Sequence, residues 1–135
     1  MNLATEVPSM LATTRWGSIF NEDEIAVIGK YMSIRTYADG ESIFEQGDAD
    51  PYLAFIISGQ VDIAKEVSEF LEKIVVTLRT KAHFGEMAFI DGKPRSASAI
   101  ANGDVTLLVL TRDRYEDLIR ENPELGLKIQ QNLLL

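Results

Sequence analysis

Residues Phe84 to Ala99 read FGEMAFIDGKPRSASA, and the rest of the chain is organised around them. Gly85 precedes a run of helix-compatible residues, Glu86 to Ile90, which stops at the turn Asp91-Gly92. This spacing predicts a single helical turn with an open N-terminus, where unpaired N–H groups and a partial positive charge suit an anion. Arg95 follows Pro94 and brings a planar fork of donors that matches a phosphate. Ser96 adds a hydroxyl, and Ala97 adds a backbone N–H. Glu86 lies nine positions before Arg95 and can accept from a sugar hydroxyl. Together these groups suit a ribose joined to a phosphate.

Outward from this stretch the texture is short and β-rich. The runs are Ser33 to Tyr37, Glu41 to Phe44, Tyr52 to Ser58, Gln60 to Glu66 and Lys73 to Thr80, then Ala97 to Ala101 and Val105 to Leu110. Asp39-Gly40, Gly47-Asp48 with Pro51, Ser58-Gly59, the loop near Glu69 and Asn102-Gly103-Asp104 separate them. Ser58-Gly59 reads as a two-residue hairpin turn. Short strands at even spacing with repeated turn signals predict a roll or jelly roll. A helix is expected from Asn21, with Glu24 in the capping-box position and Phe20, Ile25, Ile28 and Met32 as its apolar stripe. Met1 to Thr14 show no clear period and read as a loosely ordered lead-in with room for a helical turn, anchored by Arg15-Trp16-Gly17, with Trp16 a packing residue. The tail turns helical. Thr111 caps Arg112 to Glu121, which buries Tyr115, Leu118 and Ile119; Asn122 then caps a helix opened by Pro123. Leu125, Ile129 and Leu133 repeat along it every four residues.

The central stretch resembles the phosphate-binding cassette of the cyclic nucleotide-binding domain family, whose pattern is roughly F-G-E-apolar-A-apolar-apolar, a spacer, then R-x-A. Phe84, Gly85, Glu86, Met87, Ala88, Phe89, Ile90, Arg95 and Ala97 carry the match. Weaker likeness extends from Phe20 to Gln131 and includes Gly40, Gly47-Asp48 and the Phe55-to-Val61 strand region. The resemblance implies a mainly β fold, a double-stranded β-helix or β-roll with one N-terminal helix and C-terminal helices. The boundaries expected are a lead-in over 1–19 and a single domain over 20–135, its roll at about 33–111 and its helices at 112–135. It also implies that cyclic AMP or cyclic GMP is bound by Gly85, Glu86, Met87, Ala88, Arg95, Ser96 and Ala97. In that reading Arg95 and Ser96 hold the cyclic phosphate, the amides of Gly85 and Ala97 complete the cradle, and Glu86 takes the ribose 2′-hydroxyl. Met87, Phe89 and Ile90 also pack beneath the cassette. Lys81 departs from the family, which often has glycine there. The family usually caps the base from further along the last helix than Leu135, and a second domain is not expected in this stretch.

Composition narrows the alternatives. A net charge of −8 argues against nonspecific nucleic-acid binding, and makes an anion depend on local positive groups. No apolar run is long enough to span a membrane. The N-terminus lacks a basic start before an apolar core, and there are no cysteines, so a cytoplasmic setting is expected. A single histidine, His83, argues against a metal-dependent enzyme on a similar roll, and no nucleophile–base pair is evident. The expected partners are the small cyclic nucleotide and, through the apolar end Leu133-Leu134-Leu135, a second copy or an effector protein. The competing reading is an interaction module on the same fold that no longer signals through nucleotide.

Overall fold

The computed structural model describes residues 3–68 and 71–133. The loop position Glu69 and the terminal Leu134-Leu135 lie outside the described residues, as does the side chain of Met87. Six strands are seen: β1 (Ser33–Tyr37), β2 (Ser42–Phe44), β3 (Tyr52–Ser68), β4 (Leu71–Leu78), β5 (His83–Phe84) and β6 (Ser98–Thr111). Helices α1 (Leu3–Ala12), α2 (Trp16–Ile19) and α3 (Glu22–Gly29) precede the sheet, α4 (Glu86–Asp91) interrupts it, and α5 (Arg112–Glu121) and α6 (Pro123–Asn132) follow.

The long strands β3 and β6 pair antiparallel along the whole of β6, from Tyr52↔Thr111 to Ala64↔Ser98. Each is kinked at the same level, at Gly59 and Gly103, which have φ of 89° and 79°. On one side of the kinks β1 joins β6 and β5 joins β3; on the other β2 joins β6 and β4 joins β3. The result is two four-stranded leaves that share their middle strands, the β-roll expected from the sequence. The residues do not turn where the sequence reading placed hairpins. Ser58-Gly59 lies within β3, and Asn102-Gly103-Asp104 lies within β6. The glycine at 59 serves a close approach: a Cβ there would sit 2.3 Å from the Asp104 carbonyl oxygen.

Alternation explains why Leu53–Ile56 and Leu107–Leu110 are continuously apolar. Tyr52, Ala54, Ile56, Leu107 and Val109 face the roll interior, where they meet Val61, Ala99 and Ala101 of the other leaf. Leu53, Phe55, Leu108 and Leu110 face outward and pack under the helices against Trp16, Phe20, Ile28, Tyr115, Leu118 and Ile129. Each fully buried large side chain contributes about 1.5–3 kcal/mol. Trp16 is a packing residue as expected, edge-on to both Phe20 and Phe55.

The expected helix start at Asn21 is present with both capping-box bonds, Glu24 N–H to Asn21 Oδ1 at 2.8 Å and Asn21 N–H to Glu24 Oε1 at 2.9 Å. Thr111 Oγ1 likewise accepts from Arg114 N–H. Asn122 makes no side-chain cap; Pro123 alone sets the start of α6. The lead-in is not loosely ordered but carries α1, in which Val7 and Leu11 are buried. Pro8 removes one intrahelical donor. Its ring seats on Gly29, where an added Cβ would come within 3.2 Å of Pro8 Cγ, so packing on α3 stabilises a segment of poor intrinsic propensity. No described helix is long and apolar enough to cross a membrane.

Candidate functional site

The cassette folds as its sequence predicts. Gly85 has φ of 88°, ends β5 and opens α4. The first α4 bond runs from Phe89 N–H to the Gly85 carbonyl, so the amides of Glu86, Met87 and Ala88 have no intrahelical acceptor. Gly92, also left-handed, ends the turn, and the chain returns through Pro94 to Arg95. A cavity of about 560 Å³ lies against this segment. Six of the seven expected binding residues line it: Gly85, Glu86, Ala88, Arg95, Ser96 and Ala97. Met87 sits in α4, with its side chain outside the described set. Phe89 is fully buried as expected, but Ile90 is exposed, because the helical turn points it away from the core.

Arg95 is only 5% exposed. Its guanidinium lies 4.3 Å from the ring centre of Phe44 and 4.6 Å from that of Tyr52. Nη1 donates to the Gly85 carbonyl at 3.4 Å, and Nη2 to those of Asp50 and Tyr52 at 3.2 and 3.0 Å. Its backbone bridges the same loop, with Arg95 N–H on Asp48 O and Gly47 N–H on Arg95 O. Among the described residues no carboxylate oxygen comes within ion-pair distance of it. Burial pulls its pKa below the usual arginine value, and Tyr52, Asp50, Asp48 and Glu86 oppose that shift. A second consequence of the fit is that Gly85 admits no side chain: a Cβ would lie 2.5 Å from Tyr52 O and 2.7 Å from Arg95 Nη1.

Glu86 lies opposite His83. His83 Nδ1 is 3.5 Å from Glu86 Oε2. The His83 ring is the largest influence on the Glu86 carboxyl and holds it below the ordinary range against burial, with Arg95 a smaller contributor. Burial pushes the Tyr52 hydroxyl well above its ordinary range. Among the described residues the buried side-chain atoms that lack a hydrogen bond are Tyr52 Oη, His83 Nδ1, Glu86 Oε2 and Arg95 Nε. All four belong to this one corner. Phe44, Tyr52 and His83 are the site residues that sequence reasoning missed. The aromatic pair flanking the Gly47–Pro51 loop was the available signal, since a buried cation calls for an aromatic face.

Among the described residues no group of three or more histidine, aspartate or glutamate side chains could hold a metal. The family model for the cyclic nucleotide-binding domain matches residues 34–122. The cyclic AMP receptor protein of Thermus thermophilus is 37% identical over 101 residues, covering 75% of this chain and 47% of that protein. The cAMP-dependent protein kinase regulatory subunit of Aspergillus niger is 32% identical over 96 residues, 71% of this chain and 23% of that one. The chain therefore spans less than half the length of these curated relatives. Among solved structures, a cyclic nucleotide-binding domain from Methylobacillus flagellatus superposes with a TM-score of 0.82 at 28% identity, covering 97% of this chain and 74% of that chain.

Proposed function

The chain belongs to the cyclic nucleotide-binding domain family, and from that premise we propose that it is a non-enzymatic receptor module for a cyclic nucleotide, cyclic AMP or cyclic GMP. The observation that carries the reading is Arg95: a buried cation at a cavity wall with no carboxylate in ion-pair distance among the described residues and an unused Nε–H. Such a charge is costly to bury without a counter-ion, and an entering phosphodiester supplies one. Carbonyls at present hold its Nη groups, so the phosphate competes with Asp50 O and Tyr52 O for them. Ser96 and the amides of Gly85 and Ala97 would complete the cradle, and Glu86 would take the ribose 2′-hydroxyl. Release of the loop that Arg95 bridges would pass the signal to the C-terminal helices, and through them to a second copy or an effector protein.

Calorimetric and thermal-shift titration with both nucleotides, on the parent and on Arg95→Ala, tests this. Ligand at one-hundred-fold over Kd should stabilise the parent by about 2.7 kcal/mol. Unchanged affinity in Arg95→Ala would defeat the assignment. The second reading is a protein-docking module on the same fold. It is favoured by a groove of about 730 Å³ between α3 and the α5–α6 junction, lined by Val27, Leu125 and several carboxylates. No heat from either nucleotide up to millimolar concentration would favour it.

A further inference from the structure

The structure points to a part for His83 in the site: we infer that His83 is a positioning residue that holds Glu86 Oε2 and leaves the rest of that carboxylate to read the ligand's 2′-hydroxyl. The inference rests on the receptor reading above. Its basis is geometric. The left-handed kink at Gly85 folds the chain between β5 and α4, so that residues three apart in sequence face one another. Nδ1 of His83 and Oε2 of Glu86 face each other at 3.5 Å, a polar contact longer than a hydrogen bond; both atoms are buried, and neither has a hydrogen-bond partner among the described residues. The Glu86 side chain is still 33% exposed, and the buried Oε2 carries none of that exposure. One oxygen is therefore turned to the histidine, and the remainder of the side chain is open to the cavity that both residues line.

His83 is well placed to impose an orientation. The β-bridge of Phe55 to His83 fixes its backbone. Its ring packs against Phe55 at 6.0 Å between centroids, tilted by 60°. A carboxylate at the mouth of a cavity has rotamers to choose from. A ring nitrogen fixed beside one oxygen restricts that choice and lowers the ordering cost when a hydroxyl arrives at the other. The effect is on selectivity for ribose over 2′-deoxyribose, since only the hydroxyl reports on Glu86.

The test compares Kd for cyclic AMP and for 2′-deoxy cyclic AMP in the parent, His83→Phe, His83→Asn and Glu86→Gln. The phenylalanine keeps the ring packing and removes the donor. The asparagine keeps a donor near the Nδ1 position. His83→Phe should weaken cyclic AMP by roughly three- to tenfold while barely changing the 2′-deoxy ligand, an effect the size of one polar contact. His83→Asn should restore the ratio, and His83→Phe should add little in the Glu86→Gln background. A ribose-to-deoxyribose ratio unchanged in His83→Phe overturns the positioning role and leaves the receptor reading intact. A parent that binds neither ligand overturns both. Because His83 is the only histidine, its ring ¹⁵N resonances offer a ligand-free check. Glu86→Gln should shift the Nδ1 signal, and an unmoved signal counts against the pair. If His83→Phe fails to fold, the His83→Asn and Glu86→Gln comparison and the ring signals still decide the matter.

Discussion

Set side by side, the two apolar clusters differ in residue size and in what borders them. The outer cluster, between the helices and the sheet, is built from Trp16, Phe20, Phe55, Phe89, Tyr115 and leucines. The inner cluster, between the leaves, holds Ala54, Ala99, Ala101 and three valines with a few larger residues. The outer one borders the groove at Val27 and Leu125, whereas the inner one ends at Phe84 and Phe44, which line the cavity, and at Tyr52, which with Phe44 flanks Arg95. Large rings fill space and stabilise; small residues let two leaves approach and leave room at their edge. On the receptor reading, stability and recognition therefore fall mainly to opposite faces of the same sheet.

Substitutions that separate stability from affinity will break or sharpen this division. The largest effect is expected from Trp16→Ala, which should cost about 3–5 kcal/mol of stability in denaturant unfolding, with affinity unchanged in the folded fraction. A changed affinity there would break the comparison. Next, Arg95→Ala should weaken nucleotide binding by about 2–5 kcal/mol in calorimetry, with a smaller effect on stability because it also removes a buried, uncompensated charge. Gly85→Ala should follow, since an L-residue in the left-handed region costs about 1–2 kcal/mol and its Cβ would collide with the Arg95 guanidinium. Smaller again is Lys81→Gly. Lys81 is the one non-glycine residue with positive φ among the described residues, 79°. Relief of that strain, less the extra unfolded-state entropy of glycine, should raise stability by up to about 1 kcal/mol in the same unfolding assay.

The smallest effect concerns pH. Glu24 accepts from Lys128 Nζ at 2.8 Å, and this bond, then the Asn21 amide, lowers its pKa below the ordinary 4.5. A folded value below the unfolded one means the contribution is present above pH 4.5 and is lost as pH falls through the depressed value. Lys128→Ala should flatten that acid limb in a stability–pH profile and leave nucleotide affinity alone.

The cassette was legible because its parts are local. Gly85, Glu86 and Arg95 lie within one short stretch, and their spacing alone predicts a helical turn followed by an arginine. What surrounds them depends on distant pairing. Phe44 and Tyr52 reach Arg95 only because β2 and β3 meet along β6, and His83 meets Glu86 only through the Gly85 kink. The Ser58-Gly59 misreading has the same origin. A glycine with positive φ suits a hairpin and a kink in a continuing strand equally well, and the deciding contact is with the Asp104 backbone. The α1 helix was hidden because Pro8 and small polar residues lower its propensity, while its support comes from Gly29 and the buried Val7 and Leu11.

The outermost strand has a temporal consequence. Ser33 pairs with Val109, near the far end of the roll. During synthesis β1 emerges early yet has no neighbour until β6 is complete, so loop-closure entropy opposes it throughout. Closure of the first leaf should be a late, slow kinetic phase, and until then β1 is an unpaired edge that other chains can seize.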